Sequence, residues 1–416
     1  MNSAGVPLVD LSPALRLLGG AALGAAALLA WQTWRVRGQG AARWLASLTG
    51  LTLFLTFDLI VFGSFTRLTD SGLGCPDWPG CYGEASPWGA RADIAQAQAA
   101  MPSGPVTFTK AWIEMIHRYL AMTVGALILV MAVASLALRK RLPHSPAWPL
   151  MTLVWVIVQG LFGKYTVTLK LYPAVVTLHL LGGMVLLALL VVQYLRWRPQ
   201  LSRLLPTDAS GRPKPLGQAR PANPTKLTGL RALAWASTAA LWVQVALGGW
   251  VSTNYAVLAC RTFPSCNGQW WPDMQLAEGF VLWRHLGERG QGKGLLSFDA
   301  LVGIHMVHRM FAVVLLALLL TLAWHLWRRR VLTIKNGDAA ARWPAWAVLG
   351  LALWQLASGL TNVVLGWPLA AALAHSAGAA ALIAVLTSLC VLLGRTPERP
   401  SHQRDAISDD ASGRAA

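Results

Sequence analysis

The chain has 416 residues, 55% hydrophobic and 12% charged, with 35 Lys and Arg against 17 Asp and Glu for a formal charge of +18. A soluble domain is about a quarter charged, so this composition, with a mean hydropathy of +0.49, excludes an ordinary water-soluble globular protein. The basic residues do not gather on one module as a nucleic-acid binder requires. They stand in short runs between apolar stretches, such as Arg139-Lys140-Arg141 and Arg328-Arg329-Arg330, which reads as topology control in a polytopic membrane protein.

Crossing the hydrocarbon core takes about 20 mostly apolar residues. In chain order, spans are predicted near 14–34, 44–66, 113–138, 147–168, 174–195, 231–252, 301–327, 344–365 and 370–393. The first is rich in Ala and Gly, like a signal-peptide core. No small-residue cleavage site follows it, and Trp31 and Trp34 stand as interfacial anchors, so it is read as a ninth helix. Segments 35–43, 139–146, 196–230, 328–343 and the tail from 394 carry 22 Lys and Arg, whereas 67–112, 169–173 and 253–300 carry 8. The positive-inside rule assigns the first set to the cytoplasm and the N-terminus to the outside. Segment 196–230 reads as a basic cytoplasmic linker and 394–416 as a polar, disordered tail.

The sequence repeats itself. Cys75-x2-Trp78-Pro79-x-Cys81-x-Gly83-x3-Pro87 is answered by Cys260-x2-Phe263-Pro264-x-Cys266-x-Gly268-x3-Pro272, with Gly63 and Gly248 at matching distances before them. His117-Arg118 is answered by His308-Arg309, and His179-x2-Gly182 by His375-x2-Gly378. The predicted architecture is all-α, with two tandem four-helix transmembrane bundles, 44–195 and 231–393, plus one extra N-terminal helix in 1–43. An even number of spans per bundle gives both the same orientation, related by an axis along the membrane normal.

His117 and His179 open helices that enter from the outside, so both imidazoles lie in the outer leaflet, and His308 and His375 repeat the arrangement. Two neutral imidazoles facing each other from parallel helices, with Gly182, Gly183 and Gly378 leaving room beside them, form a candidate bis-histidine haem clamp. The plainer reading of one intramembrane His, a helix–helix hydrogen bond, fits a duplicated pairing less well. Carboxylates for a non-haem metal site are scarce nearby. His305, three residues before His308, is an alternative ligand; His144, His285, His325 and His402 lack the symmetry and read as interfacial or loop residues. Glu114 shares a helix face with His117, where it either complements the helix dipole or acts as an acid/base group. Since its second-half counterpart is His305, the asymmetry suggests a reactive first site and an electron-relay second site. Arg118 and Arg309 either fork haem propionates or snorkel to the interface.

Cys75/Cys81 and Cys260/Cys266 lie in external loops where oxidation is permitted. Each pair is expected to close a short loop as a structural disulfide, with redox activity of the first pair as the alternative. Cys390 reads as packing. No Cys-x2-Cys pair is present, which excludes a zinc module of that type or a thioredoxin motif. Gly287–Gly294 imitates a phosphate-binding loop, but it lacks the final Ser or Thr and follows no strand.

Over roughly 44–393 the chain resembles the haem A synthase family. The resemblance rests on the run from Phe62 to Cys81, Phe-Gly-Ser-Phe-Thr-Arg-Leu-Thr-Asp-Ser-Gly-Leu-Gly-Cys-Pro-Asp-Trp-Pro-Gly-Cys, on Glu114-x2-His117-Arg118 and on the four duplicated histidines. It implies an N-terminal bundle that holds the substrate haem O and a C-terminal bundle that holds a haem b cofactor. It also implies oxidation of the haem O methyl group to the formyl group of haem A by successive hydroxylations, for terminal oxidase assembly. Carried over by position, His117 and His179 would address the substrate haem, Glu114 would serve the chemistry, and His308 and His375 would ligate the haem b iron. A haem O synthase as supplier, a homo-oligomer and a bacterial inner membrane with periplasmic haem sites are further expectations. The extra N-terminal helix and His305 depart from the family pattern. The rivals are a di-haem b electron-transfer cytochrome and a repeat-built transporter, the latter predicting a colourless protein.

Overall fold

A computed structural model describes residues 12–142, 144–197, 224–285, 295–329, 332–333 and 340–394. Eleven helices occur among them: α1 (Ser12–Arg35), α2 (Ala41–Leu68), α3 (Arg91–Ala100), α4 (Phe108–Ala137), α5 (Ala147–Thr168), α6 (Pro173–Trp197), α7 (Pro224–Thr253), α8 (Leu276–Gly279), α9 (Phe298–Arg329), α10 (Trp343–Val364) and α11 (Leu369–Gly394). All but α3 and α8 are long and apolar enough to cross a membrane, and they match the nine predicted stretches one for one. The protein is an all-helical, polytopic integral membrane protein. A two-residue antiparallel pair, Leu332–Thr333 with Ala340–Ala341, is a minor addition. The linker beyond Trp197, the tail with His402, and Gly287–Gly294 lie outside the described residues.

Apolar residues dominate the outer surface, with Phe54, Val154 and Val313 each more than 60% exposed. Polar residues are buried instead. Thr49, Thr52 and Thr56 on α2 are buried, and each hydroxyl donates to the carbonyl four residues back, at 2.8, 2.9 and 2.7 Å. In lipid an apolar side chain gains nothing by moving inside, so interfaces select small residues and internally satisfied polar groups. Gln193 on α6 extends this logic between helices, accepting from Thr152 at 3.3 Å and donating to Thr49 at 3.4 Å.

α2 and α5 each pack against α4 and α6, closing one ring of four helices; α7 and α10 each pack against α9 and α11, closing another. The rings meet through α6 against α11, with α6 also touching α7 and α2 touching α11. α1 stands outside the first ring, against α4 and to a lesser extent α2.

The segments after α2, α5 and α7 share one side of the molecule. There Arg67 donates to the Ser252 carbonyl at 2.6 Å, and the Tyr172 hydroxyl donates to the Arg284 carbonyl at 2.9 Å. The start of α1 lies on the same side, since Arg16 is 3.6 Å from Glu84 and Leu17 packs with Cys75, Cys81 and Met115. At the other end Arg196 covers Trp148, Arg328 covers Trp324 and Arg342 covers Trp327. Such cation–π pairs suit a membrane–water boundary, where one end of each ring is wet.

Two departures from the sequence reading have local causes. α4 begins at Phe108 rather than near 113 because Thr107 caps it, the hydroxyl accepting from the Lys110 N–H at 3.2 Å; a cap is polar and invisible to hydropathy. α3 was expected as loop. It is a short surface helix whose Ile94 is buried beside Ala90 and the first disulfide.

Candidate functional site

The longer α4 puts His117 in its third turn, deeper than the first turn or two expected from sequence. His117 is the tenth residue of α4 and His308 the eleventh of α9, while His179 and His375 are each the seventh of α6 and α11. At 1.5 Å per residue, these depths are about 14 and 9 Å from the respective helix starts. The His117 and His179 rings lie within electrostatic reach of each other, as do those of His308 and His375.

Every one of the four rings rests on a glycine of a neighbouring helix. A methyl group at Gly63 of α2 would stand 2.9 Å from His117 Nε2, and one at Gly248 of α7 would stand 3.1 Å from His308 Cε1. Gly163 of α5 and Gly359 of α10 take the same place beneath His179 and His375, at 3.6 and 3.2 Å. A second notch lies one turn along α6 and α11, after His179 and His375. Gly182 and Gly378 leave space that Gln159 and Gln355 occupy, and Gln355 donates to the His375 carbonyl at 2.9 Å.

Polar neighbours distinguish the two pairs. Ser358 Oγ is 3.0 Å from His375 Nδ1, and the Gln244 amide nitrogen is 3.1 Å from His308 Nδ1. His179 Nδ1 is buried with no hydrogen-bond partner among the described residues, while His117 stacks on Phe62 at 6.4 Å between centroids. Among the described residues no three His, Cys, Asp or Glu gather to hold a bare ion.

Above each pair sits a disulfide loop, Cys75–Cys81 or Cys260–Cys266, as the spacing predicted. Gly83 and Gly268 follow at φ 73° and 90°, a left-handed turn that glycine adopts without steric cost. Arg118 and Arg309, read from the sequence as either propionate forks or snorkelling side chains, direct donors to these loops. Arg118 reaches the carbonyls of Pro79, at 3.2 Å, and Gly80. Arg309 reaches those of Thr262 and Cys260, at 2.9 and 2.8 Å. The loop carbonyls lie within hydrogen-bond distance of both guanidinium groups, which ties each loop to its histidine helix.

Glu114 also faces the loop. It is 4% exposed, accepts from the Cys75 N–H at 2.8 Å and pairs with Arg118 at 2.5 Å. His305 occupies the matching position, its Nδ1 3.0 Å from the Ala256 carbonyl and its ring 4% exposed. That contact engages the Nδ1 of His305 with the backbone ahead of the second disulfide loop. His144 packs edge-on against Trp197 near the basic end, His285 is exposed and His325 half-buried. Cys390 is buried, 3.3 Å from the Thr238 hydroxyl.

Sequence reasoning missed Gln159, Gln355, Gly163, Gly359 and Ser358. A signal for four of them existed: the spacing from His179 to His375 also relates Gln159 to Gln355 and Gly163 to Gly359. Ser358 has no such twin, because Phe162 stands at its counterpart.

Among curated proteins, the chain is 37% identical to the haem A synthase of Shewanella oneidensis, over 83% of this chain and 95% of that protein. It is 26% identical to that of Halalkalibacterium halodurans over 81% of this chain and 93% of that protein, and 29% identical to that of Rhizorhabdus wittichii over 83% and 91%. Residues 42–387, which take in both rings and both disulfide loops, match the family profile described as cytochrome oxidase assembly protein, and the chain belongs to that family.

Proposed function

We propose that this protein is a haem A synthase, oxidising the methyl group of haem O to the formyl group of haem A by successive hydroxylations for terminal oxidase assembly. In this reading the first ring, residues 44–195, takes haem O between His117 and His179. The second ring, residues 231–393, holds a resident haem b on His308 and His375. A porphyrin provides four of the six ligands of its iron, so a facing pair of imidazoles is the whole contribution required of the protein. The residues present fit such a group: each ring has a glycine floor, and His179 keeps a buried nitrogen without a protein partner among the described residues. When bound, haem b supplies one-electron chemistry.

The chain's own residues bind and orient. The glycines let the imidazoles lie close against the neighbouring helices. Glu114 and Arg118 hold the Cys75–Cys81 loop to the helix of His117, and the buried carboxylate, three residues before His117, would serve as the acid/base group. His305, in the matching place, offers the second pair no carboxylate, which agrees with a site that passes electrons without making bonds. The basic loops and the oxidised cysteines support a bacterial inner membrane with the disulfide loops in the periplasm. A haem O synthase is the natural supplier, and self-association is compatible with the exposed apolar flanks.

The observation that carries this reading is the pairing of histidines at matched helix positions in both rings of a chain from this family. The test is to purify the protein from cells with and without co-expressed haem O synthesis and identify extracted haems by mass. Haem b should be present in both, and haem O with its hydroxylated and formylated products only in the first. Haem b alone in both preparations would leave an electron-transfer cytochrome instead.

A further inference from the structure

The two histidine pairs differ in what stands behind their imidazoles, and that difference bears on how each pair would hold iron. Ser358 Oγ donates to the Trp354 carbonyl at 2.7 Å, one turn back along α10. A hydroxyl has one proton, so towards His375 Nδ1, 3.0 Å away, the same oxygen can only accept. With the hydroxyl proton so directed, His375 carries its proton on Nδ1 and keeps a lone pair on Nε2. Gly359 supports this orientation: a methyl there would lie 3.2 Å from Cε1 and 3.6 Å from Nδ1, so the Cε1–Nδ1 edge of the ring is the one laid against α10. Nε2 is on the other edge of the ring.

The first pair has none of this. Phe162 occupies the place of Ser358, and His179 Nδ1 is buried without a partner among the described residues. His117 turns its Nε2 edge, not its Nδ1 edge, to Gly63.

Resting on the function proposed above, we infer that Ser358 is a positioning residue. It fixes the Nδ1–H tautomer of His375, making the second pair a site that retains its haem, while Phe162 leaves His179 unfixed, as suits a site that must take up substrate and release product. A hydrogen-bonded imidazole is a better donor to iron, and removing such a partner weakens metal binding by about 10–100-fold.

The experiment uses the purified full-length protein carrying haem b, with apomyoglobin in excess as haem acceptor. Ser358→Ala should release haem b about 10–100-fold faster than wild type. Its reduction potential should rise, because a poorer donor stabilises the oxidised iron less, and its low-spin electron paramagnetic resonance signal should shift. Ser358→Thr, which keeps the hydroxyl, should restore all three. Phe162→Ser should slow release of haem O from the first site while leaving haem b unaffected. Wild-type rates and potential in Ser358→Ala would overturn the role of Ser358 while leaving the haem sites standing. Wild type without any haem would overturn both. Should Ser358→Ala fail to fold, Ser358→Cys serves, a weaker acceptor expected to give intermediate release and potential; wild-type values there would equally overturn the inference.

Discussion

Glu114 shows how much one side chain can hold in a membrane interior. One oxygen accepts from Cys75 and the other pairs with Arg118, with the whole group 4% exposed. Breaking a buried pair by removing one partner costs about 3–5 kcal/mol, because a charge is left uncompensated. Glu114→Ala should therefore loosen the Cys75–Cys81 loop, read as faster reduction of that disulfide by a mild thiol. Glu114→Gln keeps an acceptor for Cys75 and should spare the loop, yet lower haem A formation at least tenfold; normal turnover would remove the carboxylate from the chemistry. The glycine floors give a sharper test. Gly63→Ala would press a methyl against His117 Nε2 and should abolish haem O binding while sparing haem b. Gly359→Ala should do the reverse, with haem extraction and mass analysis of each variant as the measurement.

Among the elements, the helices were legible in the sequence because each spanning segment is a long apolar run, a signal of composition alone. The start of α4 was not, since a cap such as Thr107 is polar and adds a turn that hydropathy does not register. The duplicated histidines and cysteines were legible because they recur, and recurrence needs no knowledge of contacts. Ser358 and the loop contacts of Arg118 and Arg309 were hidden for the opposite reason: a hydroxyl without a twin carries no pattern, and a guanidinium looks the same whether it faces a propionate or a loop carbonyl. The geometry makes the loop contacts testable. Arg309→Ala removes the donors to Cys260, Thr262 and Ser265 and should expose the Cys260–Cys266 loop to proteolysis. Haem b should stay bound, whereas its loss alongside an intact loop would return Arg309 to a propionate role.

At the scale of the whole molecule, the rings are clasped on the disulfide side by a small polar seam. Arg67 bridges Asp70 at 3.1 Å and lies 4.3 Å over the Tyr255 ring, whose hydroxyl donates to Asp70 at 3.0 Å. Burial above all raises the Tyr255 hydroxyl above the ordinary tyrosine range; Arg67 opposes this and Asp70 adds to it. The neutral phenol is thus favoured in the folded protein. This contribution to stability is complete below the unfolded value of about 10 and is lost as pH rises through the higher folded value. Tyr255→Phe should remove one of the late-titrating tyrosines and part of the alkaline loss of stability, measured by ultraviolet titration beside thermal unfolding as pH rises above about 10. An identical titration in wild type and variant would place the seam's pH response elsewhere.

The single helix that has no twin, α1, leans on α4 and touches α2, shielding that flank of the first ring, while the opposite flank is closed by the second ring. The perimeter around α5 is open to the bilayer, with Val154, Ile157 and Leu161 facing outward. Under the proposed function, a greasy guest arriving through the acyl chains would meet the first ring uncovered there, and its product could leave by the same side.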